Sequence, residues 1–262
     1  MKKLFFVFIC LSFALAACQP NQKKETNASG TEKQCCKGKH GVCSKKKQAC
    51  NGEKKCCEKK CCKSEAMALT SFETIKLLAP DTTCGMPLMK ATKNRKSDRV
   101  FEERNLSLKD LSNVLWMANG INREDGKRTV PSAMALYPLE TYAVLANGIY
   151  HYNPVAHELT PVLEGDYRKL TGLQEFVYKA PLNLVFIADY NKYNGDRKVP
   201  ENKRLYLAAL DAGHCAQNVY LYCAAAGLKT VVRAGAQEKE LLETLKLDPK
   251  NYQFVVAQTV GY

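Results

Sequence analysis

Beyond its first seventeen residues the 262-residue chain has no apolar run approaching the roughly 18 to 20 residues that a membrane-crossing helix needs, so no later segment is expected to span a bilayer. Between residues 19 and 66 it has almost no large apolar side chains, which leaves too little surface to bury and predicts a linker. Its thirteen cysteines never fall into a CxxC pair, so the spacing of a structural zinc site is missing. The C-terminal part also lacks a strong charge of either sign. Of the net +13, thirteen Lys against five Glu put +8 between Gln19 and Ala66, Lys2 and Lys3 add +2, and about +3 is left from Met67 onward. The basic character thus belongs to a tether, which argues against a nucleic-acid-binding domain.

What is present begins with an export signal: Lys2 and Lys3, the apolar run Leu4 to Leu11, and then small residues. The run ends in Leu15-Ala16-Ala17-Cys18, which resembles the bacterial lipobox, in which cleavage precedes the cysteine and Cys18 becomes the lipidation site. Several acyl chains on one cysteine would hold the protein on a membrane, whereas a plain secretory signal is the alternative. Either places the mature chain outside the cytoplasm, and the lipidated form on the periplasmic or outer-membrane face of the cell envelope. The expected organisation is a signal peptide over 1–17, a lipidated Lys/Cys-rich tether over 18–66 and a folded domain over 67–262. Eight cysteines crowd the tether, Cys35, Cys36, Cys43, Cys50, Cys56, Cys57, Cys61 and Cys62, with His40 among them. Thiolates beside Lys could hold soft or borderline metals or exchange disulfides. The same thiols could equally oxidise outside the cytoplasm and leave only a spacer.

In the folded part the periodicities predict an extended segment over Ser71 to Leu78, a short helix over Pro87 to Asn94, and an amphipathic helix opened by the capping box Ser107-Leu108-Lys109-Asp110 and stopped by Gly120. Strands over 141–146 and 149–152 are expected to meet at Asn147-Gly148. A further strand follows near Leu159, two helical stretches surround Gly172, and the run Leu182 to Ala188 reads as a buried strand. A long helix follows Pro200 and ends at Gly227; residues 228–233, 237–246 and 253–260 read strand, helix, strand. That long helix is apolar nearly all round, which predicts burial on every side, and Gly213 within it predicts close approach by another element or a second subunit. His214 reads as a core or interface histidine, and Cys84, Cys215 and Cys223 as small buried hydrophobes.

Two stretches resemble the nitroreductase superfamily, in particular its SagB-type branch. One is Arg95-Lys96-Ser97-Asp98-Arg99-Val100-Phe101; the other runs from Leu115-Trp116 through Arg128-Thr129-Val130-Pro131-Ser132-Ala133 to Glu140, and Asp211 to Asn218 extends the match. The resemblance covers about residues 74 to 262. It implies an α+β fold with a central, mainly antiparallel sheet flanked by helices and a long buried helix at a homodimer interface. It also implies an FMN cofactor that exchanges electrons through N5 in two half-reactions, with NAD(P)H as candidate donor and a small nitro compound or quinone as acceptor.

The residues suit such a ligand. Arg95 and Ser97, at a helix terminus, offer a phosphate a guanidinium fork and a hydroxyl, with Lys96 and Arg99 beside them. Pro131, Ser132 and Ala133 form a tight turn which, the resemblance implies, reaches the flavin ring from the neighbouring subunit. Further contacts are expected at Ala234 and Gly235, and Arg128 or Lys127 is the candidate cation beside N1 and O2. Many relatives place a basic residue near the C-terminus, where this chain reads Gly261-Tyr262, so its phosphate is expected to lean on Arg95, Arg99, Lys96 or Arg233. No side-chain acid or base is nominated for catalysis. Two other functions compete: oxidation of azoline rings on peptides, as in the SagB-type branch, and a metal-binding lipoprotein acting through its Cys tract. An envelope location also makes a quinone pool or redox partner a candidate donor.

Overall fold

A computed structural model of the protein describes residues 65–83, 85–195 and 198–262. The signal sequence, Cys18, the eight tether cysteines and Cys84 lie outside the described residues.

Seven strands build one sheet: β1 (Ile75–Lys76), β2 (Leu139–Leu145), β3 (Gly148–Asn153), β4 (Glu158–Glu164), β5 (Leu182–Asp189), β6 (Lys229–Arg233) and β7 (Tyr252–Gly261). Their order is β1-β4-β3-β2-β5-β7-β6, and every neighbouring pair is antiparallel. The helices are α1 (Leu88–Asn94), α2 (Leu108–Asn119), α3 (Phe176–Lys179), α4 (Glu201–Ala226) and α5 (Glu238–Thr244). This is the expected α+β architecture, an antiparallel sheet flanked by helices.

The continuous apolar run of β5 follows from its place at the sheet centre. Successive side chains alternate between faces. Leu184 and Phe186 pack with Leu111 and Leu115 of α2 and Ala212 and Cys215 of α4, while Val185 and Ile187 pack with Leu241 and Leu242 of α5. Both faces are therefore covered, and the buried polar side chain of the strand, Asn183, is held by hydrogen bonds within the protein.

Local signals set the helix ends. Ser107 caps α2 by accepting from the Asp110 N–H at 3.0 Å, and its hydroxyl donates back to Asp110 Oδ2 at 2.7 Å. That carboxylate also accepts from the hydroxyls of Tyr262 at 2.9 Å and Tyr222 at 3.0 Å, which ties the C-terminal residue and α4 to the start of α2. Pro200 precedes α4, and Gly227 ends it with φ +74°, a left-handed conformation that glycine adopts without strain.

Three expectations change. Leu145 pairs with Gly148, so the β2–β3 turn is Ala146-Asn147, one residue earlier than read from the sequence. Gly148 is there for space, because a Cβ would run into the ring of Phe72. Within 71–78 only Ile75 and Lys76 pair as a strand. The third change concerns α4, which is not buried on every side of this chain: Leu205, Tyr206 and Leu210 are 45–61% exposed, and Gly213 and His214 share the open side. Cys215 and Cys223 are buried as expected, and burial pushes both thiols far above their ordinary pKa. Among the described residues no helix is long and apolar enough to cross a membrane.

Candidate functional site

A groove of about 280 Å³ runs along α4 and is lined by Ala209, Ala212, Gly213, Ala216, Gln217 and Tyr220, with Val232 of β6 and Val256 of β7 beside them. The helical residues recur at three- and four-residue spacing, so they form one face, and all but the last two are small. A Cβ built on Gly213 would meet nothing within 4 Å. Among the described residues nothing crowds this glycine, so none of them supplies the close approach expected there.

Beside the groove lies the segment that follows α1. The Arg95 N–H caps the C-terminus of α1, donating to Ala91 and Thr92 carbonyls, so the helix end near Arg95 is the negative one and only the side chains can attract an anion. The Asp98 N–H donates to the Thr230 carbonyl at 3.1 Å, laying this segment on the edge of β6. The Arg95 guanidinium lies 5.2 Å from the centre of the Tyr220 ring, and Ser97 Oγ is 2.8 Å from the Tyr220 hydroxyl. The Val232 N–H donates to that hydroxyl at 3.0 Å. Lys96 is exposed and pairs with Asp98 at 3.3 Å, and Arg99 is exposed. Tyr220 also lines a second groove of about 290 Å³ on the Lys96 side, together with Asp98, Cys223 and Lys229.

β6 runs back along α4, so its exit at Ala234 and Gly235 lies beyond Tyr220 in the direction of Gly213. Arg233, just before this exit, is 7% exposed, and each of its guanidinium nitrogens is engaged: Nε with Thr259 Oγ1, Nη1 with the Thr171 carbonyl and Nη2 with Asn183 Oδ1. Arg233 is thereby removed from the residues on which a phosphate could lean.

Pro131, Ser132 and Ala133 lie at the other end of the helix face. The Tyr137 N–H donates to Ser132 Oγ at 2.9 Å, and the Ser132 hydroxyl and Ala133 N–H also face the carboxylate of Asp211 on α4. Burial raises the Asp211 pKa, and those two donors offset only part of the rise. The turn continues into Met134, Ala135 and Tyr137 with φ of +54°, +55° and +46°, a conformation that costs non-glycine residues about 1 kcal/mol or more each. Lys192 holds it from outside by donating to the Tyr137 carbonyl at 3.3 Å. Arg128 turns inward, its guanidinium 5.0 Å from the Tyr137 ring centre, and burial lowers its pKa. Lys127 stays on the surface, paired with Asp125 at 2.8 Å.

One chain thus gathers Arg95 and Ser97 at Tyr220 and Pro131 to Ala133 at Asp211. Those two anchors are nine residues apart on α4, about 13 Å along its axis. Tyr220 and Val232 were not singled out from the sequence, and Asp211 entered only as the first residue of the stretch that extends the resemblance, with no role given to it; the seven-residue interval from Gly213 to Tyr220 was the available signal for the first. Among the described residues no His, Cys, Asp and Glu cluster could hold a metal.

The family model "Nitroreductase family" matches residues 92–262. A protein of Methanocaldococcus jannaschii named as a nitroreductase is 34% identical over 163 residues, 58% of this chain and 81% of that protein. A solved structure from Ralstonia eutropha, also titled as a nitroreductase, is 40% identical with a TM-score of 0.68, covering 76% of this chain and 92% of the other. A chain of the E. coli microcin synthetase McbBCD complex with truncated pro-MccB17 bound is 25% identical with a TM-score of 0.53, covering 71% of this chain and 77% of that one. With two thirds of its length in the family model and a large share of two relatives aligned, this chain belongs to the nitroreductase family, and so to the FMN-dependent oxidoreductases.

Proposed function

We propose that the groove on α4 is one half of an FMN site completed by a second copy of the chain, and that the enzyme reduces a small acceptor such as a nitro compound or quinone from a lipid anchor at Cys18 in the cell envelope. The observation that carries this reading is the open face at Gly213, a cradle that no described residue fills. The donor set beside it suits the cofactor: Arg95 and Ser97 for the phosphate, backbone at Ala234 and Gly235 for the ring.

FMN, when bound, supplies two-electron chemistry at N5. The chain's own part is to bind and orient. Small residues on α4 let a flat ring approach closely, and the exposed apolar stripe at Leu205, Tyr206 and Leu210 suits a second protomer. The separation of the Pro131–Ala133 turn from Ser97 within one chain fits a turn that serves the partner's ring. NAD(P)H is one candidate donor, and its confinement to the cytoplasm makes a quinone pool or an envelope redox partner the other.

The test is purification of the full chain, identification of its extracted cofactor, and steady-state turnover with NADH, NADPH and reduced quinol against nitro and quinone acceptors. A homodimer carrying FMN is expected. A colourless monomer that takes up no FMN at saturation would overturn the reading.

The SagB-type resemblance carries a second reading, oxidation of azoline rings on a peptide, and turnover of an azoline-containing peptide as the electron donor, with a quinone as the acceptor, would establish it. The metal-binding reading keeps its own test, since the cysteines of residues 35–62 would retain metal in a protein that lacks flavin.

A further inference from the structure

We infer that Tyr220 is the positioning residue that makes this site select the phosphorylated form of flavin, an inference that rests on the proposed FMN site. Two side chains nominated for the phosphate meet on this one residue. The Arg95 guanidinium stacks on the Tyr220 ring at 5.2 Å, and Ser97 Oγ lies 2.8 Å from the Tyr220 hydroxyl.

The direction of the second bond follows from the third partner. The Val232 N–H can only donate, and it donates to the Tyr220 oxygen at 3.0 Å. Tyr220 is 7% exposed, so its own proton needs an acceptor within the protein, and Ser97 Oγ is the one in reach. Had Ser97 donated instead, the phenol oxygen would accept twice and its proton would have no acceptor among the described residues. The chain of donation therefore runs from Val232 N–H to Tyr220 to Ser97. It leaves the Ser97 proton pointing outward, on the exposed side.

A hydroxyl held as a donor beside a guanidinium matches a phosphate dianion, which only accepts. Riboflavin ends in a neutral alcohol, which can accept from Ser97 but brings no charge to the guanidinium, so it gains far less from the pair. The stacking fixes Arg95 over the ring, which lowers the entropy lost when its fork closes on the phosphate.

The experiment measures affinity of the flavin-stripped full chain for FMN and for riboflavin by fluorescence quenching. Tyr220→Phe keeps the ring and removes the hydroxyl. It is expected to weaken FMN about tenfold while riboflavin stays within about twofold. Ser97→Ala should lose a similar factor, and the double variant should lose no more than either single one. Tyr220→Leu, which also removes the platform for Arg95, should cost FMN about a further tenfold. Equal losses for FMN and riboflavin would reduce Tyr220 to packing and overturn the inference. So would full additivity with Ser97→Ala, or an unchanged FMN affinity in Tyr220→Phe while Arg95→Ala is impaired; that last result would leave the FMN site itself standing. A wild-type chain that binds neither flavin removes the site and the inference together.

Discussion

Arg233, the last residue of β6, reaches across β7 and places Nη2 3.1 Å from the side-chain oxygen of Asn183 on β5. The Thr259 hydroxyl donates to the same oxygen at 2.7 Å and accepts from Arg233 Nε at 3.1 Å, while the Thr171 carbonyl takes Nη1. All its acceptors are neutral, and burial alone pulls the Arg233 pKa down to about 10. Replacing it with methionine keeps apolar volume but leaves buried oxygens short of donors, so Arg233→Met is expected to cost about 3 kcal/mol. Urea denaturation measures this, and a loss under about 1 kcal/mol would show that the clamp does not hold the sheet edge.

Gly172 belongs to the same device. A Cβ there would strike the Arg233 guanidinium and crowd Val177, although the glycine's backbone is extended and open to any residue. Gly172→Ala should therefore destabilise by about 2 kcal/mol in the native sequence and by clearly less once Arg233 is methionine. A double-mutant cycle reads the difference directly. Equal costs in both backgrounds would place the strain elsewhere.

Glu140 supplies a pH signature. Burial would raise its carboxyl, but hydrogen bonds from His151 at 2.6 Å and from Lys192 outweigh that and hold the pKa at about 2, against 4.5 unperturbed. A carboxyl depressed on folding contributes stability that is complete above the unfolded value and disappears as pH falls through the folded one. The native protein should thus lose on the order of 2–3 kcal/mol between about pH 4.5 and pH 2 through this group. Glu140→Gln should remove that part of the slope and be weaker by a similar amount at pH 7. Parallel stability curves for the two proteins across this range would refute the assignment.

Signals confined to a few residues were legible in the sequence. Ser107 and Asp110 cap α2 because both partners lie in one turn, and Gly227 ends α4 because its left-handed backbone is a local demand. Where the partner is remote, the sequence misled or was silent. Gly148 reads as a turn glycine, yet it is fixed by Phe72 from a segment 76 residues away. Arg233 reads as a free cation near a phosphate, and its acceptors come from three separate elements. The composition of α4 disclosed that all its sides are apolar. It did not disclose which side the chain covers itself and which it leaves open.

That open side makes a claim about assembly. Leu210 is 45% exposed on the stripe proposed to meet a second protomer. Leu210 is about half exposed, so Leu210→Glu should change the stability of the isolated protomer by no more than about 1 kcal/mol. An unpaired carboxylate buried between two copies would instead cost several kcal/mol, enough to disperse the dimer. Sedimentation velocity is expected to show monomers, with bound flavin lost alongside. A Leu210→Glu protein that stays dimeric and yellow would move the interface to another face.

Gly213 separates stability from function most cleanly. In the flavin-free chain a Cβ at this position meets nothing, and the residue sits inside a 26-residue helix, so Gly213→Ala should stabilise the apoprotein by about 1 kcal/mol through helix propensity alone. If the groove receives a flat ring or a partner helix, the same methyl group stands in its way. FMN affinity or dimer affinity should then fall by about tenfold, the opposite sign to the change in stability. Thermal unfolding of the apoprotein and flavin titration on one preparation give both numbers. A variant that is more stable and binds FMN as tightly as the parent would mean that the cradle on α4 faces only water.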